Sequence, residues 1–309
     1  MMPGATDTSG LSLQSDYFGD PLAWRAFCDL LMDIFGIDVT PLELLGGPDP
    51  TCMPTGFFDD DGCCIANLSA FSMPLMIDGE IIRAAGWQSG AVRPAWRGRG
   101  LFRKLMDMTF KRCLAAGYDA MVLTTRHPGL YEPYGFKTLP QAHFFVPMPS
   151  HPVSAPVAPT KDPLARRLDI RDATDLALIR RVLAERTPVS NHFAVLDQSH
   201  MFLLNAWLSP SVSLHWLEHT NCITATDAST PDRLSLLDVI ASNIPPLTHL
   251  HAALAPAATE VDVHFPPDRL SIHGGFETTT AEDGLALMMW HRDGTCPAGP
   301  LRLSPMADF

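Results

Sequence analysis

The sequence has few charged residues, fewer basic than acidic ones, and no long apolar run. Charged residues make up 18% of the 309, and 22 lysines and arginines stand against 34 aspartates and glutamates, a formal net charge of −12. A general nucleic-acid-binding protein needs a basic surface to displace counterions from phosphates, so this balance argues against that class and mildly favours a cationic substrate. No stretch of about 18 consecutive apolar residues occurs, so we expect no membrane-spanning helix and no membrane partner.

Cysteine is also sparse, and the spacing of the cysteines does not suit a set of disulfides or a structural zinc site. There are seven cysteines, an odd number, with Cys63 and Cys64 adjacent and no C-x-x-C pair. This pattern argues against a disulfide framework and a zinc ribbon, and it favours a reducing compartment. The first 15 residues lack a basic segment followed by an apolar one, so we expect no signal peptide. The sequence therefore predicts a cytoplasmic protein.

Hydrophobic residues, 46% of the chain, are enough to form a substantial core, and the length predicts two domains. A proline occurs every few residues between Pro147 and Pro163, as is typical of an extended linker. The predicted organisation is a flexible tail (1–15), a first domain (16–147), a proline-rich linker (148–165) and a second domain (166–309).

The first half alternates between helical and strand periodicity. Apolar residues at helical spacing predict helices over 21–35 and 101–116, and β-prone segments predict strands over 53–58, 63–76, 81–92 and 120–125. Asp78-Gly79 is a two-residue hairpin signal. Strands that first follow one another and then pass through a helical crossover predict an α/β fold with a mixed sheet.

The most informative segment is Val92-Arg-Pro-Ala-Trp-Arg-Gly-Arg-Gly-Leu101, at the end of a predicted strand and the start of a helix. Gly98 and Gly100 let the backbone approach a ligand closely, and the free amides of a first helical turn bind a pyrophosphate well. Arg97 and Arg99 add cations with forked donors. The spacing matches neither a Walker A loop nor a dinucleotide fingerprint.

This segment resembles the acyl-CoA loop of the GNAT acetyltransferase superfamily, V-x-P-x-x-[RQ]-G-x-G-[LI]. The matching residues are Val92, Pro94, Arg97, Gly98, Gly100 and Leu101. One position departs from the family, which usually has Gly or Ala where this chain has Phe102. The resemblance implies a GNAT fold over the first domain and acetyl-CoA as the acyl donor. It places the donor against Ala91, Val92, Arg97, Gly98, Arg99, Gly100, Leu101 and Phe102.

A second segment, Leu123-Thr-Thr-Arg-His-Pro-Gly-Leu-Tyr-Glu-Pro-Tyr-Gly-Phe136, resembles the following strand and turn of the superfamily. Its Tyr131 falls where many members have the tyrosine that protonates the departing CoA thiolate. The segment looks most like the enhanced-intracellular-survival (Eis) type, tandem-GNAT enzymes that acetylate aminoglycosides. In that group the base is a terminal carboxylate, often on phenylalanine, and this sequence ends in Phe309.

The resemblance implies an acetyl-CoA-dependent N-acetyltransferase that acts on a small-molecule amine, aminoglycoside-like or a polyamine, by direct attack through a tetrahedral intermediate. A backbone amide near Ala91 or Val92 is the expected oxyanion donor. Tyr131 is the expected acid and Phe309 the expected base, with Glu80 as the alternative base. A non-catalytic acyl-CoA-binding regulator or scaffold and a longer-chain acyltransferase remain alternatives.

The second half contains no second glycine loop. Predicted helices near 172–185 and after Pro245-Pro246, with strands near 214–226, 233–241, 260–265 and 285–290, indicate a degenerate GNAT-like domain or a sterol-carrier-like one. His215-Trp-Leu-Glu-His219 fits a zinc signature that requires a helix, whereas the segment is strand-like, so we expect no metal. The oligomeric state stays open, a homo-oligomer included.

Overall fold

The computed structural model describes residues 7–148, 165–227, 232–272, 274–281 and 285–309. The helices are α1 (Pro21–Phe35), α2 (Leu101–Ala115), α3 (Ala173–Ala184), α4 (Ser199–Leu208) and α5 (Leu247–Leu254). The strands are β1 (Ser12–Ser15), β2 (Met53–Phe58), β3 (Cys64–Ser72), β4 (Leu75–Ile77), β5 (Glu80–Ile82), β6 (Ala84–Val92), β7 (Ala120–Thr125), β8 (Lys137–Leu139), β9 (Ala142–Pro147), β10 (Arg166–Leu168), β11 (Phe193–Val195), β12 (Val212–Leu217), β13 (Cys222–Asp227), β14 (Arg233–Ile240), β15 (Glu260–Val263), β16 (Glu277–Thr280) and β17 (Ala286–His291). Except for its first and last residues, the predicted linker lies outside the described residues, as do residues 1–6 of the predicted tail. Within the described ranges, no helix has the length and apolar character needed to cross a membrane.

Local signals set both ends of α1. The Asp20 side chain accepts a hydrogen bond from the backbone N–H of Leu22 at 2.8 Å, and Pro21 occupies the first helical position, where its missing N–H costs nothing. The helix stops at Gly36, whose φ of 69° is left-handed. The predicted helix over 21–35 is confirmed at both ends.

Two seven-stranded mixed sheets form the core of the molecule. The first has the order β1-β2-β3-β6-β7-β17-β8, and the second has the order β10-β12-β13-β14-β15-β9-β16. Each contains a parallel pair at the same position, β6 with β7 and β14 with β15. A helix connects each pair, α2 in the first sheet and α5 in the second. The second sheet therefore repeats the topology of the first, which favours the GNAT-like alternative for the second half over the sterol-carrier-like one.

The two halves of the chain exchange one strand each. Strand β17, from the end of the chain, lies between β7 and β8 in the first sheet. Strand β9, from the end of the first half, lies between β15 and β16 in the second sheet. Each sheet is therefore completed by a strand from the other half of the chain.

Three predicted strands are each divided in two. The segment 63–76 breaks after Ser72, where Pro74 has no N–H to donate to a ladder, and continues as β4. The segment 81–92 breaks at Arg83, between β5 and β6. The predicted hairpin is confirmed: Asp78 and Gly79 both have positive φ, 49° and 87°, and join β4 to β5. In the second half, a turn ending at Asn221 (φ 47°) divides the predicted strand 214–226 into β12 and β13.

The two faces of the first sheet pack against different helices. On one, which we call the α1 face, Phe71 of β3 and Ala91 of β6 pack with α1 and with Met201 of α4. On the other, the α2 face, Leu68 and Trp87 pack with Leu105 of α2. Successive residues of a strand alternate between the faces, so neighbours in sequence reach opposite sides of the sheet.

Candidate active site

The parallel strands β6 and β7 pair over only three residues. The register runs from Ala84 opposite Ala120 to Gly86 opposite Val122, and β7 pairs with β17 along its other edge as far as Thr125. The later part of β6 therefore leaves a gap in the sheet beside residues 123–125. We call this opening the β6–β7 gap.

A bulge in β6 bends the strand where the gap opens. The register between β3 and β6 shifts between Asn67 and Ser69, and Ser89 has a left-handed φ of 58°. The buried Asn67 side chain fixes the bulge, because its Nδ2 donates to the Ser89 carbonyl at 3.0 Å. Tyr17 in turn donates its hydroxyl proton to Asn67 Oδ1 at 2.6 Å. A bulge of this kind redirects a strand next to a functional site.

The strand pairing also decides which backbone N–H groups face the gap. Arg93 N–H donates to Ile65 O, so these two residues form a hydrogen-bonded antiparallel pair. Such pairs alternate along a ladder, and Ala91 is the next hydrogen-bonded partner, opposite Asn67. Of the two amides that the sequence offered, the Ala91 N–H thus faces β3, and the Val92 N–H faces the gap.

The predicted donor loop follows β6 and leads into α2. Gly98 and Gly100 have φ of 79° and 80°, a left-handed conformation that glycine adopts without strain. A Cβ on Gly98 would meet nothing within 4 Å. Gly100 caps α2 without a side-chain hydrogen bond, so within the described residues the first-turn N–H groups at Leu101 and Phe102 have no capping partner and are able to bind an anion.

Two arginines flank these amides. The Arg97 Nε donates to the Val92 carbonyl at 3.1 Å, which holds this side chain against the end of β6. The Arg99 guanidinium lies over the Trp96 ring, 4.4 Å from the centroid, in a cation–π contact. Arg93, by contrast, bonds to Asp33 of α1 at 2.5 Å and to the Cys64 carbonyl.

Tyr131 lies on the α2 face of the gap, after a short turn that follows β7. Its hydroxyl oxygen is 3.4 Å from the position of a Cβ on Gly90, beside the bulge. Burial raises the pKa of Tyr131 to about 12, and a hydrogen bond with Thr125 opposes part of this effect. The phenol therefore keeps its proton at neutral pH and is able to donate it.

Phe102 forms the side wall next to Tyr131. The two rings meet edge to face with centroids 6.0 Å apart, and Phe102 Cε2 lies 3.2 Å from the same Cβ position on Gly90. The residue at the family's small position thus narrows the gap on its α2 face.

Phe309 reaches the gap from the α1 face. Its ring packs edge to face on Phe71, centroids 5.4 Å apart, and its main-chain O accepts a hydrogen bond from Thr124 Oγ1 at 3.1 Å. Thr124 and Thr125 are neighbours on β7 and therefore point to opposite faces. The structure thus brings the two predicted catalytic residues, Tyr131 and Phe309, to the same gap from opposite sides.

The segment 301–309 carries Phe309 from the second sheet to the first. Ser304 Oγ donates to the Leu237 carbonyl of β14 at 2.9 Å, next to the place where β14 and β15 stop pairing. Met306 is buried against α4, and Asn205 of α4 donates to the Asp308 carbonyl at 2.8 Å. The segment thus meets the second sheet at the end of the β14–β15 pairing, which is the position that corresponds to the β6–β7 gap of the first sheet.

The other candidates from the sequence lie elsewhere. Glu80 is exposed on the β4–β5 hairpin, which pairs with β11. Cys113 is fully buried, and burial raises the pKa of its thiol to about 11, so it packs as a neutral side chain. His215 lies on β12 and His219 in the next turn, so the two do not share a helical face. In the described residues no group of three or more His, Cys, Asp or Glu is arranged to hold a metal.

Sequence reasoning missed three polar residues of the gap: Asn67, Thr124 and Asp308. The Asn67 side chain on β3 bonds to the backbone of β6, and Thr124 contacts Asp308, which is 184 residues away in sequence. Neither contact leaves a local pattern in the sequence. Two adjacent carboxyl groups at 308–309, by contrast, were visible in the sequence.

Comparison with known proteins supports this architecture. A family model described as an acetyltransferase (GNAT) domain matches residues 23–139. No curated protein sequence matches the chain. The solved structures that share the fold include a GCN5-related N-acetyltransferase from Kribbella flavida (14% identity, TM-score 0.53, 92% of this chain and 72% of that one), Eis1 from Mycobacterium abscessus (14%, 0.58, 92% and 74%) and a probable N-acyltransferase from Enterococcus faecalis V583 (12%, 0.56, 92% and 73%). At these identities the likeness concerns the fold. The glycine loop and the β6–β7 gap both lie within the matched region, so the chain contains a GNAT acetyltransferase domain at residues 23–139.

Proposed function

We propose that this chain transfers an acetyl group from acetyl-CoA to an amine of a small molecule by direct attack. The observation that carries the proposal is the position of Tyr131, whose hydroxyl lies 3.4 Å from the Cβ position of Gly90 in the β6–β7 gap. The loop that resembles an acyl-CoA site opens next to the same gap. A proton donor and a donor-binding loop therefore meet at one place.

The residues of the loop fit the pyrophosphate of the donor. The free N–H groups at Leu101 and Phe102 offer hydrogen bonds, and Arg97 and Arg99 supply positive charge. The open space at Gly98 leaves room for a phosphate against the backbone. Acetyl-CoA supplies an activated thioester, and the protein's contribution is to bind and orient it.

Three groups then have distinct tasks. The Val92 N–H, which faces the gap, donates to the thioester oxygen as negative charge develops there. Tyr131, which its raised pKa keeps protonated, gives its proton to the departing thiolate. The Phe309 carboxylate, on the other face, takes the proton that the acceptor ammonium releases.

The gap favours a short acyl group. Phe102, Leu68 and Tyr131 all lie within 3.4 Å of the Cβ position on Gly90, so little space remains beside the bulge. A longer acyl chain would have to displace one of these side chains. The net charge of −12 suits a cationic acceptor.

The test uses the purified chain with acetyl-CoA and four amines: spermidine, kanamycin, lysine and phenethylamine. We expect thiol release that depends on one or more of them, together with an acetylated product identified by mass spectrometry. Tight CoA binding without thiol release for any amine would favour the non-catalytic regulator. Faster turnover with octanoyl-CoA than with acetyl-CoA would favour the longer-chain acyltransferase.

A further inference from the structure

A second carboxyl group lies next to Phe309 at the gap. The Oδ1 of Asp308 is 3.1 Å from Thr124 Oγ1, and the main-chain O of Phe309 is 3.1 Å from the same hydroxyl. A threonine hydroxyl has one proton to donate and also accepts hydrogen bonds. Thr124 therefore joins two carboxyl groups through a single oxygen.

The position of the Asp308 side chain is fixed from three sides. The Phe309 N–H donates to Oδ1 at 3.0 Å, Thr124 contacts it from β7, and Asn205 of α4 holds the main-chain carbonyl of Asp308. Of the two side-chain oxygens, Oδ2 has no hydrogen-bond donor among the described residues. Asp308 thus has a fixed orientation and one oxygen that is able to accept a proton.

The surroundings of this carboxyl group are unfavourable to its charge. Burial raises the pKa of Asp308, while the Phe309 N–H and the Thr124 hydroxyl lower it in part. Thr124 on β7 and Asn205 on α4 are neutral, and the titratable group that faces it is the adjacent Phe309 carboxyl. Among the described contacts, no cation offsets the negative charge of the Asp308 carboxylate. Carboxyl groups with such perturbed environments cluster at functional sites.

We propose that Asp308 is a second catalytic carboxylate, which shares with Phe309 the task of accepting a proton from the acceptor ammonium. The inference rests on the proposed function. Because two adjacent carboxylates resist joint ionisation, the pair acts as one base that is linked through Thr124.

The protons balance in this scheme. An N–H bond of the ammonium breaks, and its proton passes to the carboxylate pair and then to solvent. The free amine forms a C–N bond to the acetyl carbon, and the C–S bond breaks. Tyr131 protonates the departing thiolate, and the second N–H proton of the attacking nitrogen restores Tyr131. One proton is released for each amide formed.

A side-chain carboxylate, unlike a main-chain one, does not depend on where the chain ends. One added glycine after Phe309 converts the main-chain carboxyl into an amide and leaves Asp308 in place. Asp308→Asn keeps the size and the hydrogen bonds of the side chain but removes the base. The two changes therefore separate the two carboxyl groups.

The experiment measures kcat/KM against pH for the full-length wild type, Asp308→Asn, Asp308→Glu, the glycine extension and the extension combined with Asp308→Asn. The substrates are acetyl-CoA and the four amines above. Asp60→Asn, on an exposed turn, is the matched control, and thermal unfolding checks each variant.

We expect Asp308→Asn to lower kcat/KM about 10²-fold and to move the acid limb to lower pH, because the group with the raised pKa is gone. Asp308→Glu restores part of the activity, the extension keeps part of it, and the combined variant is the least active. A folded Asp308→Asn chain with wild-type kcat/KM and acid limb would overturn the inference. So would a rise in KM alone with an unchanged pH profile, which indicates a positioning role. A wild-type chain that acetylates none of the amines would overturn the proposed function itself and the inference with it.

Discussion

The hydroxyl oxygen of Tyr131 and the backbone of Gly90 lie so close that a Cβ on residue 90 would be 3.4 Å from that oxygen. Glycine at this position allows the phenol to reach the bulge in β6. The φ of Gly90 is not left-handed, so the backbone conformation does not require glycine here. What the position requires is the space that a side chain would fill.

Gly90→Val is expected to displace Phe102, whose Cε2 would lie 3.2 Å from the new Cβ, and the two added methyl groups extend further toward the Tyr131 hydroxyl. A displacement of about 1 Å in a catalytic group costs roughly 10²-fold in rate, and we expect a loss in kcat of that order. Steady-state kinetics with the best amine of the panel measures it. Gly19→Val is the control, since a Cβ there meets nothing within 4 Å. Equal kcat for Gly90→Val and wild type would show that the gap tolerates a side chain at residue 90.

Tyr131→Phe removes the proton donor and keeps the ring. We expect kcat to fall about 10²-fold, with CoA affinity by calorimetry unchanged within about twofold. Since burial raises the pKa of Tyr131 to about 12, its proton is present throughout the range up to pH 10, and wild-type activity should not decline between pH 8 and 10 through this group. Tyr118→Phe, on a tyrosine away from the gap, is the control. A variant as active as the wild type would remove Tyr131 from proton transfer.

Arg99→Ala tests the charge beside the donor loop. Hydrogen bonds to charged groups contribute about 1.5–3 kcal/mol, so the Kd for CoA should rise about tenfold or more. Arg171→Ala provides a matched control, because Arg171 stacks on Trp207 at 4.5 Å in the second half, much as Arg99 stacks on Trp96. If both variants bound CoA like the wild type in calorimetry, the loop would not hold the pyrophosphate through Arg99.

Met306→Ala tests the anchoring of the chain end. Met306 is 1% exposed, and truncation of a buried methionine costs about 2–5 kcal/mol in the free energy of unfolding. We expect that loss in urea denaturation, together with a kcat/KM that falls more than CoA affinity does, because Asp308 and Phe309 lose their support. Met32→Ala, at a residue 47% exposed, should change the free energy by less than about 0.5 kcal/mol. If Met306→Ala lowered the free energy of unfolding but left kcat/KM unchanged, the burial of Met306 would not be needed to hold Asp308 and Phe309 in the site.

The sequence predicts those parts of the fold and the site whose signals are local. Asp20, Pro21 and Gly36 mark the ends of α1, and the spacing of Gly98 and Gly100 marks the donor loop. Helix α4 escaped prediction because Ser199–Leu208 is apolar on most sides and lacks a clear 3.6-residue period.

The remaining features depend on contacts between distant parts of the chain. Nothing near β17 indicates that it pairs with β7 rather than with a strand of its own half. The same holds for the Asn67 bond to Ser89 and for the contact of Thr124 with Asp308. A periodic pattern specifies that a strand exists, whereas its partner is decided by the packing of the whole core.

The exchange of β9 and β17 also governs how this molecule acquires its structure. Strand β7 gains its antiparallel neighbour β17, and β8 its partner, only when residues 286–291 are available, so during synthesis the first sheet is completed only after these late residues have left the ribosome. Pairings so distant in sequence carry a large loop-closure cost and slow the folding reaction. For the same reason, we expect the halves to unfold together in one cooperative transition, and a fragment ending at residue 147 would expose strand edges that invite aggregation.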